Sequence, residues 1–423
     1  MIICVHSDQT DGKLRFLTKD VIVAPPPLQV PLTYSPKYRM YTMPISIGTP
    51  AQKFDVGYDL LAFESFIGSM ECKNCDNTTF VRKASTSNHF NGSVITTEYG
   101  AVEGVATGNV DADIIMIAGN TTKENAGFVL TKNLTMNPPV QGILSFGYNY
   151  DKRDKYVDPK TKFETNMNVL QALYTNYDLN LRSFSQRIFS NNSGYLYLGG
   201  VAPDVNPNGD NYTTCGIPTG SANWKCTDIS HVLIGNDMNL DKAYKLSQGH
   251  VYFSTLTNLI IAPYRTLDYF SKNYFPNSTC RPFKPSENYT QFVCDSSMDL
   301  TNMSDVHIVI NSYAYKINAA DMLSDSNTNV KGRISTFKFK DDSNNSDWII
   351  GQALMKNYDM VFDPDNRQIG FSGGFRHYFP TGSSSTLMWI LIAIAILVAV
   401  AIAIFVFCYC CRKRAGDEYQ PQN

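Results

Sequence analysis

Basic stretches are scarce in this 423-residue chain: 36 Lys and Arg stand against 38 Asp and Glu, for a formal net charge of −2, and no basic patch stands out along the body of the sequence. Without one, the electrostatic footprint of a nucleic-acid binder is missing, and nucleic acid is excluded as a partner. Long helical periodicities are also few. The amino terminus lacks the hydrophobic core of a secretory signal, because Met1–Val5 is apolar for only five residues before His6, Ser7 and Asp8 interrupt it. No second C-x-x-C and no histidine partner accompanies Cys72-Lys73-Asn74-Cys75, so a zinc site would lack ligands, and neither a metal nor an organic cofactor is implied.

What is present is an apolar, aromatic chain. Hydrophobic residues make up 43%, with 25 Tyr and 24 Phe, which favours a mainly β protein. The length suits two lobes with appendages. Asn-x-Ser/Thr acceptors occur at Asn77, Asn91, Asn120, Asn133, Asn191, Asn211, Asn277, Asn288, Asn302 and Asn344. One such triplet is noise, but ten spread over expected surface loops favour a secretory glycoprotein, and imply a signal upstream of Met1. Pro25-Pro26-Pro27 marks an extended lead-in.

At the other end, Leu387–Phe407 is an uninterrupted apolar run of 21 residues, which as a helix spans roughly 30 Å. The reading is one transmembrane helix after a Ser-rich stalk. Arg412, Lys413 and Arg414 follow it, so the C-terminus faces the cytosol and the body is extracellular or lumenal. Without a signal, a tail-anchored body in the cytosol is the other orientation, and the glycosylation triplets speak against it. Cys408, Cys410 and Cys411 sit at the membrane edge, where S-palmitoylation and idle thiols are both open. The remaining cysteines fall into local pairs, Cys72 with Cys75, Cys215 with Cys226 and Cys280 with Cys294, leaving Cys4; an oxidising compartment and disulfides fit this spacing.

The stretch that organises the chain is Tyr38–Ser69. Met43, Ile45 and Ile47 alternate with other residues, Gly48-Thr49-Pro50 turns, and a second alternating run ends on Asp59, so the pattern is a β-hairpin that delivers a carboxylate. Ile47-Gly48-Thr49-Pro50-Ala51-Gln52-Lys53-Phe54 resembles the opening of the pepsin-like aspartic peptidases, and the resemblance runs in motif order to Phe371. Thr96–Gly100 resembles the flap strand, whose tyrosine, here Tyr99, closes over bound peptide, although the tip is about two residues short. Gln141–Gly147 resembles the strand behind the first catalytic loop, with Ser145 in place of a glycine. Tyr195–Gly200 resembles the end of the first lobe, and Asn223-Trp224 the start of the second. Trp348–Leu354, Tyr358–Asp363 and Ile369-Gly370-Phe371 resemble the closing motifs. The family also carries a short disulfide loop at the position of Cys72 and Cys75 and a second-lobe disulfide like Cys280–Cys294.

Both catalytic turns depart from that family. Its chemistry uses a D-T-G turn from each lobe, two carboxylates that share one proton so that one acts as base on water and the other as acid. Here the first turn reads Asp59-Leu60-Leu61-Ala62-Phe63. In the second, Val251–Pro263 keeps register with the family only if Ser254 stands at the aspartate position and Leu256 at the glycine position. A serine hydroxyl is neutral and cannot share an acidic proton, so Asp59 is expected to ionise if solvated, and Leu61 to distort the turn. Asp237, Asp241, Asp268 and Asp295 are simpler as solvated loop carboxylates than as a second acid, and His250 is not placed to activate Ser254.

These observations predict a mainly β, bilobal pepsin-like fold with one C-terminal transmembrane helix. Its segments are a lead-in (1–37), lobes at 38–210 and 211–375, a stalk (376–386), the membrane helix (387–407) and a cytosolic tail (408–423). The expected function is an inactive, membrane-anchored homologue that binds a peptide or protein in the cleft, with Asp59 and Ser254 at the catalytic positions and Tyr99 over the ligand. The alternatives are an active aspartic endopeptidase with an unrecognised second acid, and a structural surface glycoprotein whose cleft is filled by Leu61, Phe63 and Leu256.

Overall fold

The computed structural model describes residues 26–379, apart from 122–125, 149–154, 158–163, 177–181, 210, 247–248, 276–277, 300, 302 and 326–330, together with a few residues between 394 and 404. The architecture is mainly β. Among the described residues strands assemble into sheets of 17, 8 and 5 strands, and the helices before residue 380, the longest Val169–Asn176, are short.

The opening hairpin forms as its alternation requires. Met40–Ile47 pairs antiparallel with Gln52–Asp59, Met43 opposite Val56 and Ile47 opposite Gln52, and Met43, Ile45 and Ile47 are all buried. From Asp59 the chain turns into Phe66–Lys73. Into the space between the two strands comes Gly142–Ser145, parallel to the first (Ser145 beside Asp59) and antiparallel to the second (Ile143 beside Phe66).

The same weave recurs in the second half of the chain. Val251–Phe253 leads through a turn to Ile260–Pro263, and Trp348–Ile350 inserts between them, parallel to the first and antiparallel to the second. Phe66–Lys73 then pairs parallel with Ala126–Leu134, as Ile260–Pro263 does with Arg333–Lys340. Two repeats of one strand order therefore present two turns, at Asp59 and Ser254, toward each other.

An antiparallel sheet joins the repeats. Leu28–Ser35 pairs with Ser193–Leu198, which pairs with Phe184–Ile188. That strand pairs with Asp359–Asp363, then come Gln368–Ser372 and Tyr212–Gly216. Leu28–Ser35 falls inside the segment read from sequence as a lead-in, and Arg376–Tyr378 inside the stalk; both are hydrogen-bonded strands, the latter beside Tyr313–Ile317. At the seam Phe184 stacks on Phe362 with centroids 4.8 Å apart, and Trp224 packs edge-on to both. Trp224 also donates its indole N–H to the Phe146 carbonyl at 2.8 Å, tying the first residues of the second repeat to the first. Buried aromatic contacts of this kind are worth roughly 0.5–1.5 kcal/mol each beyond their area.

The three cysteine pairs expected from spacing are disulfides, Cys72–Cys75, Cys215–Cys226 and Cys280–Cys294. Cys4, Cys408, Cys410 and Cys411 lie outside the described residues. So does most of the apolar run 387–407; residues 396–402 within it are helical with exposed side chains, and among the described residues no helix is long and apolar enough to cross a membrane. Of the glycosylation triplets, Asn77, Asn133, Asn191, Asn211, Asn288 and Asn344 are exposed and Asn120 is half-buried.

Candidate active site

The end of Gln52–Asp59 and the residue after Val251–Phe253 are held in place by their inserted strands. Phe146 N–H donates to the Asp59 carbonyl at 2.7 Å, and Ser254 N–H to the Ile350 carbonyl at 3.0 Å. A glycine one or two residues beyond each inserted strand comes very close to the turn. A Cβ at Gly147 would sit 2.6 Å from the Ala62 oxygen, and one at Gly351 would sit 2.3 Å from the Leu259 oxygen, so glycine is required at both. Ser145, which replaces a third glycine, uses its hydroxyl to donate to the Ala62 carbonyl at 2.6 Å.

In this cage the Ser254 hydroxyl faces the Asp59 carboxylate, Oγ to Oδ1 3.5 Å. The other carboxylate oxygen accepts from Ala62 N–H at 3.0 Å, with the Leu60 and Leu61 amides also directed at the group. The half-buried Leu61 contributes its own amide to the carboxylate's backbone cradle, which is therefore present where distortion was expected. The condition attached to ionisation also fails. Asp59 is only 1% exposed, and burial pushes its carboxyl up to about 6, against the pull of the three amides and the Ser254 hydroxyl. Desolvation thus does here what a like-charged neighbour does in a carboxylate pair, but one group holds one proton and cannot divide acid and base roles.

Leu256 closes the site from above. It is 2% exposed and packs into the first repeat's hydrophobic cluster with Met40, Phe66, Tyr99, Met136 and Ile143. Thr255, beside it, donates its hydroxyl to the Tyr58 carbonyl across the interface. Its counterpart by register is Leu60, wholly buried and unable to reciprocate. Beneath the turns the Tyr58 hydroxyl, Gln186 and Gln352 form a buried chain, with the Gln186 amide donating to Gln352 at 3.0 Å.

Tyr99 ends the strand His89–Tyr99 of a hairpin completed by Gly104–Asp113, its tip the turn Gly100–Val102. Its ring is 1% exposed, lies edge-on to Phe66 at 5.2 Å, and its hydroxyl donates to the Glu64 carbonyl at 2.7 Å. Thr97 on the same face donates to the Glu64 carboxylate at 2.6 Å. In this state Tyr99 is shut inside the first repeat, and contact with a ligand requires the hairpin to lift.

A cavity of about 580 Å³ lies between the repeats under the hairpin tip. Leu256 forms part of its floor and Ala101, Val102 and Glu103 part of its roof, while Asp59 and Ser254 do not reach it. Glu103 at the tip forms an ion pair with Lys338 on the opposite wall, a contact between residues 235 positions apart that no local pattern in the sequence signals. Tyr289 lies beneath that lysine, with its centroid 3.9 Å from Nζ.

The remaining candidates lie elsewhere. Asp237, Asp241, Asp268 and Asp295 are exposed, two of them paired with Lys242 and Lys272, and none is among the groups bonded to Asp59. His250 is engaged with Asp347 at 3.1 Å. Among the described residues no cluster of His, Cys, Asp and Glu forms a metal site.

Comparison with known proteins agrees with the mainly β fold of two repeats. The family model described as eukaryotic aspartyl protease matches residues 40–373. The chain is 22% identical over 351 residues to major aspartyl peptidase 1 of Cryptococcus neoformans var. grubii, covering 78% of this chain and 68% of that protein. To a beta-secretase of Strongylocentrotus purpuratus it is 24% identical over 370 residues, covering 78% of this chain and 66% of that protein. The chain thus spans about two thirds of the length of these relatives.

Proposed function

We propose that this chain, which belongs to the eukaryotic aspartyl protease family, binds an extended polypeptide between its two lobes without cleaving it. The observation that carries the reading is the Ser254 hydroxyl 3.5 Å from a buried Asp59, where hydrolysis needs a second carboxyl. A water attacking a peptide carbonyl needs a base and an acid together, and losing one of them typically costs about 10²- to 10⁴-fold. Leu256 lines the cavity while Asp59 and Ser254 do not reach it, which supports a steric barrier to the carboxylate.

The cavity supports retained binding. Its walls mix apolar side chains with strand residues such as Ser286, Gln291 and Thr336, and an extended peptide can pair with strand edges while its side chains fill pockets. The apolar run 387–407 supports a single-pass membrane anchor, and the exposed asparagines of the glycosylation triplets support an extracellular or lumenal body.

The test uses the full-length chain in detergent with a quenched peptide library from pH 3.5 to 7.5, in parallel with binding to the same library. Binding without turnover is expected. Turnover abolished by Asp59→Asn would establish an active endopeptidase instead, and neither turnover nor binding would favour a structural glycoprotein.

A further inference from the structure

We propose that Glu103 occupies, in the ligand-free protein, the place of a ligand carboxylate, so that the cavity selects an extended peptide bearing an acidic side chain, which displaces Glu103 from Lys338 and releases the hairpin. This inference rests on the binding reading above and names the ligand class.

The geometry has three parts. Lys338 projects from the second-lobe strand Arg333–Lys340 into the cavity wall with its side chain only 11% exposed, and its ammonium lies over the Tyr289 ring. A cation so far out of water needs an anion, and the aromatic face supplies only part of what hydration gave. The anion present comes from the hairpin tip, which forms part of the cavity roof. Arg39, an exposed residue, also lines this cavity and has no carboxylate partner among the described residues. Among the described residues the cavity lining thus carries two cations, Arg39 and Lys338, to one carboxylate, Glu103.

The backbone at Glu103 points the same way. Its φ of +52° and ψ of 35° are left-handed, a conformation in which glycine is at ease and a glutamate is held at a cost. The side chain held there at that cost closes the cleft, so the pair is a latch as well as a neutralising contact. Because Glu103 is 39% exposed, solvent screens the pair, and the latch is weak enough to be exchanged for an incoming carboxylate.

A positional-scanning library of octapeptides blocked at both termini, presented to the full-length chain, reads the preference directly, since no peptide terminus supplies a charge. Wild type is expected to favour Glu over Gln at one position by about threefold or more. Glu103→Gln, with the internal competitor gone, is expected to bind both peptides about threefold to tenfold tighter while keeping the preference. Lys338→Gln should lose the preference, and the exchange Glu103→Lys with Lys338→Glu, which preserves an ion pair, should reverse it toward Lys. Binding with no acidic preference in wild type, a preference unchanged by Lys338→Gln, or no reversal in the exchange overturns the assignment while leaving peptide binding intact. No binding by any of the four proteins overturns the binding reading and this inference with it.

Discussion

Replacing Asp59 by asparagine is expected to stabilise the protein, and only above mildly acidic pH. The carboxyl is 1% exposed and its pKa is pushed up to about 6 by burial, against 3.8 in the unfolded chain. Because the native value lies above the unfolded one, the native state holds the proton more tightly between these values, and stability falls as pH rises from about 4 to about 6. A shift of roughly 2 units corresponds to about 3 kcal/mol, fully present as a penalty above pH 6 and absent below pH 4. Asparagine is nearly isosteric: its oxygen takes the Ala62 N–H that Oδ2 takes now, and its amide can donate to Ser254 Oγ. Urea unfolding of the full-length chain in detergent, followed by fluorescence of the buried Trp224 and Trp348, should show Asp59→Asn more stable than wild type by about 2–3 kcal/mol at pH 7.5 and within about 1 kcal/mol at pH 4.0. Equal stabilisation at both pH values, or none at pH 7.5, would refute the argument, because the cost would then not be that of a desolvated charge.

Ser254→Asp alone should not restore turnover at acid pH in the quenched-peptide assay, since Leu256 still separates the pair from the cavity; it should cost roughly 3 kcal/mol at pH 7.5 and less at pH 4, because two adjacent buried carboxyls cannot both ionise. Measurable turnover by this variant would show that the second acid was the only missing part. Leu256→Ala removes a side chain that is 2% exposed and bridges the lobes, at an expected cost of about 2–4 kcal/mol in urea unfolding; a loss below about 1 kcal/mol would mean the surrounding cluster does not depend on it. His307 is wholly buried with neither ring nitrogen bonded, and burial lowers its pKa from 6.5 to about 4. Its native value lies below the unfolded one, so stability is lost as pH falls from about 6.5 to 4, and His307→Leu should remove about 3 kcal/mol of that acid sensitivity. A variant with the same pH slope as wild type would place the acid sensitivity elsewhere.

Much of the fold was legible because local pattern and packing agree. Met43, Ile45 and Ile47 alternate and all three point inward, and Asp59 ends its strand where the alternation ends. The cysteine pairs were readable because each closes a short loop. The direction of side chains at the turns was not. Spacing put Leu61 and Leu256 at matching positions, yet one is half-buried beside its own turn and the other crosses into the opposite lobe. That choice depends on which wall offers an apolar hole, a property of residues scattered from Met40 to Ile143. The role of Tyr99 could not be read for a related reason. The alternation that buries Thr97 and Tyr99 and exposes Glu98 is visible, but whether the inward face meets a ligand or Phe66 depends on how far the hairpin has closed. The Glu103–Lys338 pair and the Gln186–Gln352 bond join residues 235 and 166 positions apart and leave no trace in any window of sequence.

The crossing of Leu256 and Thr255 into the first lobe bears on how the protein is made. Tyr58 emerges 197 residues before the threonine that satisfies its carbonyl, and the hydrophobic cluster around Phe66 and Tyr99 likewise waits for the leucine that completes it. At translation rates of roughly 5–20 residues per second, that interval is on the order of 10–40 s. Throughout it the nascent first lobe presents an apolar opening and an unpaired backbone carbonyl, a surface that a chaperone can hold and a neighbouring chain can aggregate on. Leu256, which lines the cavity of the finished molecule, is also the last member of the Phe66 and Tyr99 cluster to arrive.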